Sequence, residues 1–427
     1  MNKRKTLAVL LCLLALAGNI YAGRPSGFKD KYQLKEVVVL SRHNIRSPLS
    51  GNGSALAKMT PHLWFNWTSG PSELSLRGGV LETMMGQYFR KWLVSENLIK
   101  ENEAPSSKEM RFYANSMQRT VATARYFSTG MLPTANVKVE HRFKLNKMDP
   151  VFNPQLTLVN DKFKKLALEQ ISAMGGKEGL QGIGKQLTEE FNLIENVLDF
   201  EDSAIASKEG KKHLSTDDLE IILEKNKEPA MKGSLKLANQ ASDAFILQYY
   251  EEPDDIAAAF GHKLTQEEWG KIAGIKDVYG DVLFTAPAVA VNVANPLLKL
   301  LLKELSLKKR KFTFLCGHDS NIASVLAALN AVPYDLPQSI EKKTPIGSKL
   351  VFSKWLGKDG EEYISVDLIY QTVHQLRYLD VIDLDNPPAI FPVSLQGLNT
   401  NSDGLYKMQD IKEHFKQAIS SYRNLPK

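Results

Sequence analysis

The stretch "EVVVLSRHNIRSP", residues 36–48, decides the fold of this chain and points to its chemistry. Its apolar run over 37–40 ends in a polar turn, a pattern typical of a strand buried in a parallel sheet. His43 lies in that turn between Arg42 and Arg46. Nearby cations disfavour a further positive charge, so the imidazole should stay neutral and keep a lone pair that can attack. Because guanidinium groups bind oxyanions through paired hydrogen bonds, the stretch predicts a nucleophilic histidine aimed at a phosphoryl group.

The composition is that of a globular protein, and 427 residues allow two or three domains or one large domain with an insertion. The basic residues 3–5 and the apolar run 7–17 predict a secretory signal peptide over residues 1–22. Its removal takes away three basic and no acidic residues and leaves a net charge of +3. This charge is too small to indicate binding to nucleic acid or, after signal cleavage, to a membrane.

The cysteine content excludes a disulfide framework. Of the two cysteines, Cys12 lies in the predicted signal peptide, so the mature chain keeps Cys316 alone. A single cysteine cannot form an intramolecular disulfide, although the compartment would permit one. The position of Cys316 at the end of an apolar run predicts a small buried core residue.

Two further segments repeat the pattern of an apolar strand, a polar turn and a helix. The strand predicted over 110–114 ends in Asn115 and precedes a helix over 117–127, and the strand predicted over 311–316 precedes a helix over 320–329. Such units build α/β folds, in which a mostly parallel sheet is flanked by helices. Ligands bind at the carboxyl ends of the strands, so polar residues that are distant in sequence should share one edge.

The middle of the chain has a different pattern, since helical periodicity and charge prevail from 152 to 280. We interpret this region as a helical cap inserted into an α/β core made of residues 23–151 and 281–427. Amphipathic helices are predicted within it over 187–200, 217–225 and 234–250. The later sequence predicts a long helix over 285–305, with Pro287 in its first turn, and a hairpin of strands over 350–355 and 363–370.

Polar residues at the predicted strand ends fit phosphoryl transfer to a histidine. His43 would attack phosphorus in line and become phosphorylated, and Asp319 would protonate the leaving oxygen and then help to activate water. The residues expected to surround the phosphate oxygens are Arg42, Arg46, Arg119 and His318. Arginines can supply the charge stabilisation that a metal supplies elsewhere, so no metal or other cofactor is expected.

Each motif also has an ordinary structural interpretation. A lone histidine is more often structural than catalytic, and Arg119 could be a surface residue near the start of its helix. The segment "GHDSNI", residues 317–322, could be a helix start capped by Asp319 or Ser320. The arginines beside His43 favour the functional interpretation, because burying them without an anion would be costly.

The motifs "RHNIRSP" at 42–48 and "GHDSNI" at 317–322 resemble the RHGxRxP signature and the distal HD motif of histidine acid phosphatases. Their pairing in this order is far more specific than either motif alone. Asn44 stands where the signature usually has glycine, a variant similar to the glucose-1-phosphatase form. The chain is similar to the branch that contains periplasmic glucose-1-phosphatases and bacterial phytases through "GGVLETMMGQYFRKWL" at 78–93, "MDPVFNP" at 148–154, "DAFILQYYE" at 243–251 and "TPIGSKLVF" at 344–352.

The resemblance implies a core like that of phosphoglycerate mutase with a helical cap, a phosphohistidine intermediate, no metal and a periplasmic location. It implies His43 as the nucleophile and Asp319 as the proton donor. The residues that it implies for the phosphate pocket are Arg42, Arg46, Arg119 and His318. Relatives in this branch commonly carry several disulfides and this chain has none, so details of the cap loops do not carry over.

Four functions are compatible with these motifs. We favour an acid phosphomonoesterase whose partner is a small phosphate monoester, such as glucose 1-phosphate. A phytase would use the same chemistry in a wider, more basic pocket, and composition does not decide because acidic residues accompany the lysines between 162 and 236. Asp319 directly after His318 argues against a phosphomutase, since it puts a proton donor at the leaving group. A noncatalytic phosphate-binding protein would need neither His43 nor Asp319.

Overall fold

The computed structural model describes residues 24–49 and 54–426. The signal peptide predicted over residues 1–22 lies outside the described residues. The strands are, in chain order, β1 (Tyr32–Arg42), β2 (Met110–Ala114), β3 (Glu220–Ile222), β4 (Ala230–Lys232), β5 (Phe312–Gly317), β6 (Lys349–Gly357), β7 (Glu362–Tyr370), β8 (Ala389–Pro392) and β9 (Tyr406–Lys407).

The helices are α1 (Phe28–Lys31), α2 (Ala55–Lys58), α3 (Leu76–Ser95), α4 (Gln118–Met131), α5 (Asp161–Ala173), α6 (Leu180–Lys185), α7 (Thr188–Leu198), α8 (Ala204–Glu209), α9 (Ser234–Glu251), α10 (Asp255–Ala258), α11 (Gln266–Phe284), α12 (Pro287–Glu304), α13 (Asp319–Ala328), α14 (Val373–Tyr378) and α15 (Met408–Ser421). Short 3₁₀ helices cover Gly176–Glu178 and Phe200–Asp202.

Seven of the strands form one sheet in the order β2-β5-β1-β6-β7-β8, with β9 also paired to β7. The pairs β2–β5 and β5–β1 are parallel, whereas β6, β7, β8 and β9 join the sheet through antiparallel pairs. The predicted α/β fold is confirmed, but the sheet is mixed and not mostly parallel. The short turn after β6 accounts for one antiparallel pair, since a connection of a few residues between β6 and β7 can only make a hairpin.

The sheet is covered on both faces, which explains its continuous apolar strands. Along β1, Val37 and Val39 pack into the cluster that contains α3 and α4. Val38 and Leu40 pack on the opposite face, in the larger cluster that contains α11, α12, α13 and α15. Cys316 is fully buried at the end of β5 and is not in a disulfide, as the sequence predicted.

The carboxyl ends of β1, β5 and β2 meet at one edge of the sheet. The ladder continues past the strands, because the His43 amide donates to the Gly317 carbonyl at 3.1 Å and the Asn115 amide donates to the Cys316 carbonyl at 2.9 Å. His318 follows β5 directly and is the N-cap residue of α13, a position that the sequence predicted for Asp319 or Ser320. Three widely separated polar segments therefore share one edge.

Two sequence predictions about elements are wrong. The first strand is not followed directly by a long helix, since α3 begins only at Leu76. The chain after β1 instead pairs with a returning segment, with the Ser47 amide donating to the Glu73 carbonyl and the Ser75 amide donating to the Ile45 carbonyl. Backbone groups that are used in this pairing are not free to form a helix.

The helix predicted over 217–225 is the short strand β3, which pairs with β4. A nine-residue apolar pattern fits both the helical and the strand period, so tertiary contacts decide. Here the Asp218 carboxylate accepts hydrogen bonds from the Ser234 amide at 2.7 Å and from its hydroxyl at 2.8 Å, and holds the segment beside the start of α9. The helix predicted over 285–305 and the hairpin predicted after it are confirmed by α12, β6 and β7.

Between 161 and 284 the regular elements are helices, apart from the β3–β4 pair. The domain boundary predicted at 280–281 falls inside α11, which ends at Phe284. The division into a core and a cap stays a prediction.

Within the described residues, no single helix has the length and apolar character needed to cross a bilayer. The bent pair α11 and α12, with 84° between its members, reaches the required length and composition only when both are taken together.

The crossing of α3 and α4 yields a stability prediction. A Cβ atom on Gly86 would overlap the Phe127 carbonyl, and one on Gly130 would overlap the Thr83 carbonyl, so the two backbones are in direct contact. Gly86→Ala should lower the free energy of unfolding by about 1–3 kcal/mol, because the helices must separate. Urea denaturation followed by circular dichroism measures the change.

Gly274→Ala is the matched control, because Gly274 also lies in a long helix but nothing stands within 4 Å of its added Cβ. It should stabilise the protein by about 0.5–1 kcal/mol, since alanine favours helix more than glycine does. Equal effects of the two substitutions would contradict the close helix crossing.

Candidate active site

His43 is held in one tautomer by the backbone that carries it. Its side chain is buried, and its Nδ1 lies 2.9 Å from the Asn44 carbonyl oxygen. A carbonyl oxygen only accepts hydrogen bonds, so Nδ1 carries the proton and Nε2 keeps the lone pair. The attacking atom available to an electrophile is therefore Nε2.

The His43 imidazole is also held neutral. Burial lowers its pKa well below the usual value, and the charges of Arg119, Arg46 and Arg42 lower it further, together with the neighbouring His318 ring. The sequence had attributed neutrality to the adjacent arginines, and the structure shows that burial is the larger cause. A nucleophilic lone pair thus persists into acidic solution.

His318 is a second neutral imidazole, and its ring centroid lies 5.6 Å from that of His43. The Asp149 amide donates to Asn115 Oδ1 at 2.9 Å, which orients the Asn115 side chain. The Asn115 amide nitrogen then donates to His318 Nε2 at 2.7 Å, so the proton of His318 lies on Nδ1. Burial and the charge of Arg119 lower the pKa of His318 well below its usual value. Its Nδ1–H is directed to the side of Arg119, where it can donate to an anion.

Arg46 and Arg119 bring two guanidinium groups to this place. Arg46 Nη2 donates to Asp243 Oδ2 at 2.9 Å, and Arg119 Nη1 donates to the Ser72 hydroxyl at 2.7 Å. Burial and the charge of Arg46 lower the pKa of Arg119 to about 10, which still leaves it cationic. The Nε atoms of both arginines are buried without a hydrogen-bond partner, and such groups favour an anion as ligand.

Arg42 lies deeper than the other two arginines. Its guanidinium is almost fully buried and donates to Glu341 Oε1 at 2.5 Å and to the Thr344 carbonyl at 2.6 Å. Although burial opposes its charge, the carboxylates of Glu341 and Asp319 raise the pKa of Arg42. Its Nη2 lies 3.5 Å from Asp319 Oδ2. The predicted contact of Arg42 with a phosphate stays a prediction.

Asp319 is a carboxylate in this structure. Its side chain is 34% exposed, its Oδ2 lies 2.6 Å from Lys276 Nζ, and its Oδ1 accepts from the Ser320 amide at 2.8 Å. Burial of the carboxyl group opposes ionisation, but the charges of Lys276 and Arg42 are stronger and hold the pKa of Asp319 well below its usual value. The proton donor predicted from the sequence needs a protonated Asp319, which is not the form in the substrate-free protein.

One cavity of ≈ 290 Å³ joins five of the six predicted residues. Those that line it are His43, Arg46, Arg119, His318 and Asp319. The sixth, Arg42, adjoins it through Asp319. Among the described residues no group of three or more histidine, cysteine, aspartate or glutamate side chains is arranged to hold a metal ion.

Seven charged residues at or beside this cavity were not predicted from the sequence: the four described next, and Asp277, Asp281 and Lys343 on its wall. Lys276, Asp243 and Glu228 line it, and Glu341 pairs with Arg42 beneath it. They lie on helices and loops outside the three strand ends, so the rule that locates ligand sites at strand ends could not find them. The family resemblance was the only sequence feature that pointed to them. Asp243 lies in the similar stretch 243–251, and the similar stretch 344–352 begins three residues after Glu341.

Asn44, which replaces the usual glycine of the signature, connects His43 to a buried ion pair. Its amide nitrogen donates to Glu82 Oε1 at 2.9 Å, and Lys349 Nζ donates to the same oxygen at 2.9 Å. The side chains of Glu82 and Lys349 are both fully buried. This pair anchors the side chain of Asn44, the residue whose backbone carbonyl fixes the His43 tautomer.

Two neutral imidazoles among guanidinium groups, with a carboxylate beside them, define an enzyme site for a phosphate ester. Residues 33–371 match the histidine phosphatase superfamily, branch 2. The chain belongs to this family and is a histidine acid phosphatase. The expectation drawn from the two motifs is confirmed at this level.

The chain is 37% identical to the glucose-1-phosphatase of Salmonella typhimurium over 408 residues, which cover 94% of this chain and 96% of the relative. It is 27% identical to the phytase AppA of Escherichia coli over 407 residues, which cover 91% and 93%. The solved structure of the phytase from Citrobacter braakii superposes with a TM-score of 0.80 at 25% identity and covers 92% of this chain and 98% of that one.

The buried Glu82–Lys349 pair yields a prediction about stability. Glu82→Gln and Lys349→Met should each lower the free energy of unfolding by about 3–5 kcal/mol, because each leaves an uncompensated buried group. The double variant should lose less than the sum of the two. Glu413→Gln is the control, since Glu413 pairs with Lys416 on the surface and should change stability by less than about 1 kcal/mol. If the losses of unfolding free energy simply added in the double variant, Glu82 and Lys349 would not stabilise each other.

Asp277 gives the stability a pH dependence. Burial and the charge of Glu341 raise its pKa to about 7. The folded state therefore binds a proton that the unfolded state has lost, so this stabilisation is complete below pH about 4 and disappears as the pH rises through 7. Asp277→Asn should reduce the fall in unfolding free energy between pH 4.5 and 8 by up to about 3 kcal/mol.

Denaturant unfolding at several pH values measures this effect. Asp385→Asn, at an exposed aspartate, should leave the pH dependence of stability unchanged. If the unfolding free energy of Asp277→Asn fell with pH as steeply as that of the wild type, Asp277 would be ionised in the folded protein at acidic pH.

Proposed function

We propose that this histidine acid phosphatase hydrolyses sugar phosphates such as glucose 1-phosphate through a phosphohistidine intermediate. We further propose that residues 1–22 direct its export and that the mature chain works in the periplasm, on the basis of the basic start and the short apolar run. The name of the Salmonella relative supports the substrate class.

The observation that carries the choice of substrate is the pairing of charges around the cavity. Among the described residues that line it, Arg46, Lys276 and Lys343 each have a carboxylate within salt-bridge distance, and Arg119 has none. Further carboxyl groups on the wall are Glu228, Asp277 and Asp281. This surface suits one phosphate and a neutral hydroxylated group. A substrate with six phosphates would need several unpaired cations.

In the proposed first step, His43 Nε2 attacks phosphorus in line and forms the P–N bond while the P–O ester bond breaks. The leaving oxygen takes a proton from Asp319, so the alcohol departs neutral. Arg46, Arg119 and the Nδ1–H of His318 bind the phosphoryl oxygens, and Arg42 adds its charge from behind. These donors are rigidly held, so they stabilise the transition state without reorganisation.

In the second step, water attacks phosphorus and the P–N bond breaks. The Asp319 carboxylate accepts a proton from that water, and His43 returns to its neutral form with Nδ1 still donating to Asn44. Inorganic phosphate then leaves. Protons and charges balance over the two steps without a cofactor.

The function is tested by phosphate release from glucose 1-phosphate and from phytate by the mature protein. We expect faster release from the sugar phosphate, and a loss of at least about 10⁴-fold in His43→Ala because the nucleophile is removed. His141→Ala is the control, since His141 is exposed and outside the cavity, and it should keep full activity. Acid-labile ³²P-labelled enzyme, formed from labelled substrate, reports the intermediate.

Preference for phytate would overturn the sugar-phosphate proposal and leave the chemistry standing. Undiminished release by His43→Ala would overturn the phosphohistidine mechanism.

A further inference from the structure

Lys276 occupies a position that the proposed chemistry does not explain. It lies in α11, its side chain is 11% exposed, and its Nζ is 2.6 Å from Asp319 Oδ2. The other carboxylate near it is Glu341, with Oε1 at 3.7 Å. Glu341 already accepts from Arg42 at 2.5 Å and from the Ile346 amide at 2.8 Å. Asp319 is therefore the main partner of Lys276 in the substrate-free protein.

This contact opposes the role of Asp319 as proton donor. A carboxylate that accepts a hydrogen bond from an ammonium group is stabilised in its ionised form, whereas the leaving oxygen needs a proton. The ion pair must therefore break or weaken before the ester bond breaks. Lys276 lines the same cavity as His43 and Arg119, so a bound phosphate would lie within the range of its flexible side chain.

We propose that Lys276 is a positioning residue for the proton donor: it holds Asp319 as a carboxylate in the free enzyme and moves to the phosphate of the substrate on binding. This inference rests on the proposed function and adds a residue to it. A phosphate monoanion brings its own proton to the cavity, and that proton passes to Asp319 as Lys276 leaves. After the ester bond breaks, Asp319 is again a carboxylate and takes a proton from the attacking water while Lys276 stays with the phosphoryl group. That proton leaves with inorganic phosphate, and the freed Lys276 then restores the ion pair with Asp319.

Lys276 is the partner of Asp319 that can move. Arg42 stays bound to Glu341 and to the Thr344 carbonyl on the buried side, and its Nη2 is 3.5 Å from Asp319. Lys276, by contrast, holds Asp319 through a single ammonium group on a four-carbon chain. The charged and titratable groups that face Asp319 from all surrounding elements are Arg42, His43, Arg119, Glu228, Lys276, Tyr279, His318 and Glu341.

Infrared spectroscopy of the mature protein tests both halves of the proposal. The carbonyl stretch of protonated Asp319 is identified by subtracting the spectrum of Asp319→Asn, and its pH titration is followed with and without inorganic phosphate. In the wild type, phosphate should raise the titration midpoint. In Lys276→Met without phosphate, the midpoint should already be higher by about 1–3 pH units, because an opposite charge is gone. Phosphate should then shift it much less.

Three matched measurements separate this effect from a structural one. Lys276→Arg keeps the cation and should keep the low midpoint of the wild type. Lys271→Met removes a lysine from the same helix, where it pairs with Glu189 at 3.1 Å outside the cavity, and should titrate like the wild type. Inorganic phosphate should inhibit Lys276→Met about tenfold more weakly than the wild type, because a charged contact is lost.

An Asp319 midpoint that phosphate leaves unchanged in the wild type would overturn the proposal, whatever the variants do. Equal Asp319 midpoints in Lys276→Met and Lys271→Met would also overturn the proposal. If Lys276→Met does not unfold cooperatively, Lys276→Gln replaces it, and the wild-type measurement still decides. Phosphate release from glucose 1-phosphate by the wild type distinguishes the two proposals, since its absence would overturn the function and not the ion pair.

Discussion

The excess of positive charge around a neutral imidazole is the constraint on which this site depends. Arg42 and Arg46 are buried and Arg119 is half-buried close to His43, and removing guanidinium groups from water is costly unless anions compensate them. Glu341 compensates Arg42 and Asp243 compensates Arg46, each through a short ion pair. Arg119 donates to the Ser72 hydroxyl, and among the described residues no carboxylate lies within salt-bridge distance of it. The charge of Arg119 thus remains available for the phosphate that we propose as ligand.

The backbone makes this arrangement possible. Parallel pairing of β1 with β5 and of β5 with β2 brings three strand ends to one edge, and hydrogen bonds past those ends fix His43 and Asn115 against the end of β5. Fixed carbonyls and amides then choose the tautomers, since the Asn44 carbonyl leaves Nε2 of His43 free and Asn115 leaves the proton of His318 on Nδ1. The tautomers that we propose for attack and for phosphate binding are thus present before a substrate arrives.

At the same edge of the sheet, two ion pairs act on residues that line the cavity. Glu82 and Lys349 act on His43 through Asn44, and Lys276 acts on Asp319 directly. The first pair is fully buried and has no competing partner in the cavity, so it is a static support. The second lies at the cavity, where a phosphate competes for the ammonium group. The Glu82–Lys349 pair therefore fixes the position of Asn44, whereas the Lys276–Asp319 pair is the one that we propose to break when phosphate binds.

Local sequence was sufficient for the elements and residues whose physical causes are local. The apolar runs that end in Arg42, Ala114 and Gly317 identified the strands, and the polar residues after them identified five of the cavity residues together with Arg42. Local sequence was not sufficient over 217–225, where the helical and the strand period both fit a short segment. It was also not sufficient after β1, where the chain pairs with a segment distant in sequence. Local pattern did predict the β6–β7 hairpin, but the antiparallel pairing of β6 with β1 is a long-range contact that it could not predict.

What the sequence by itself determined is the place of His43 among cationic groups and the α/β class, because these depend on residue type and on hydrophobic period. Only the tertiary structure decided the ionisation of Asp319, the partners of the arginines and the tautomers of the two histidines. Lys276, Asp243 and Glu341 lie far from the motifs in sequence, and the charge of one group in a protein interior depends on every group within a few ångströms of it. Such proximity is a property of the folded chain.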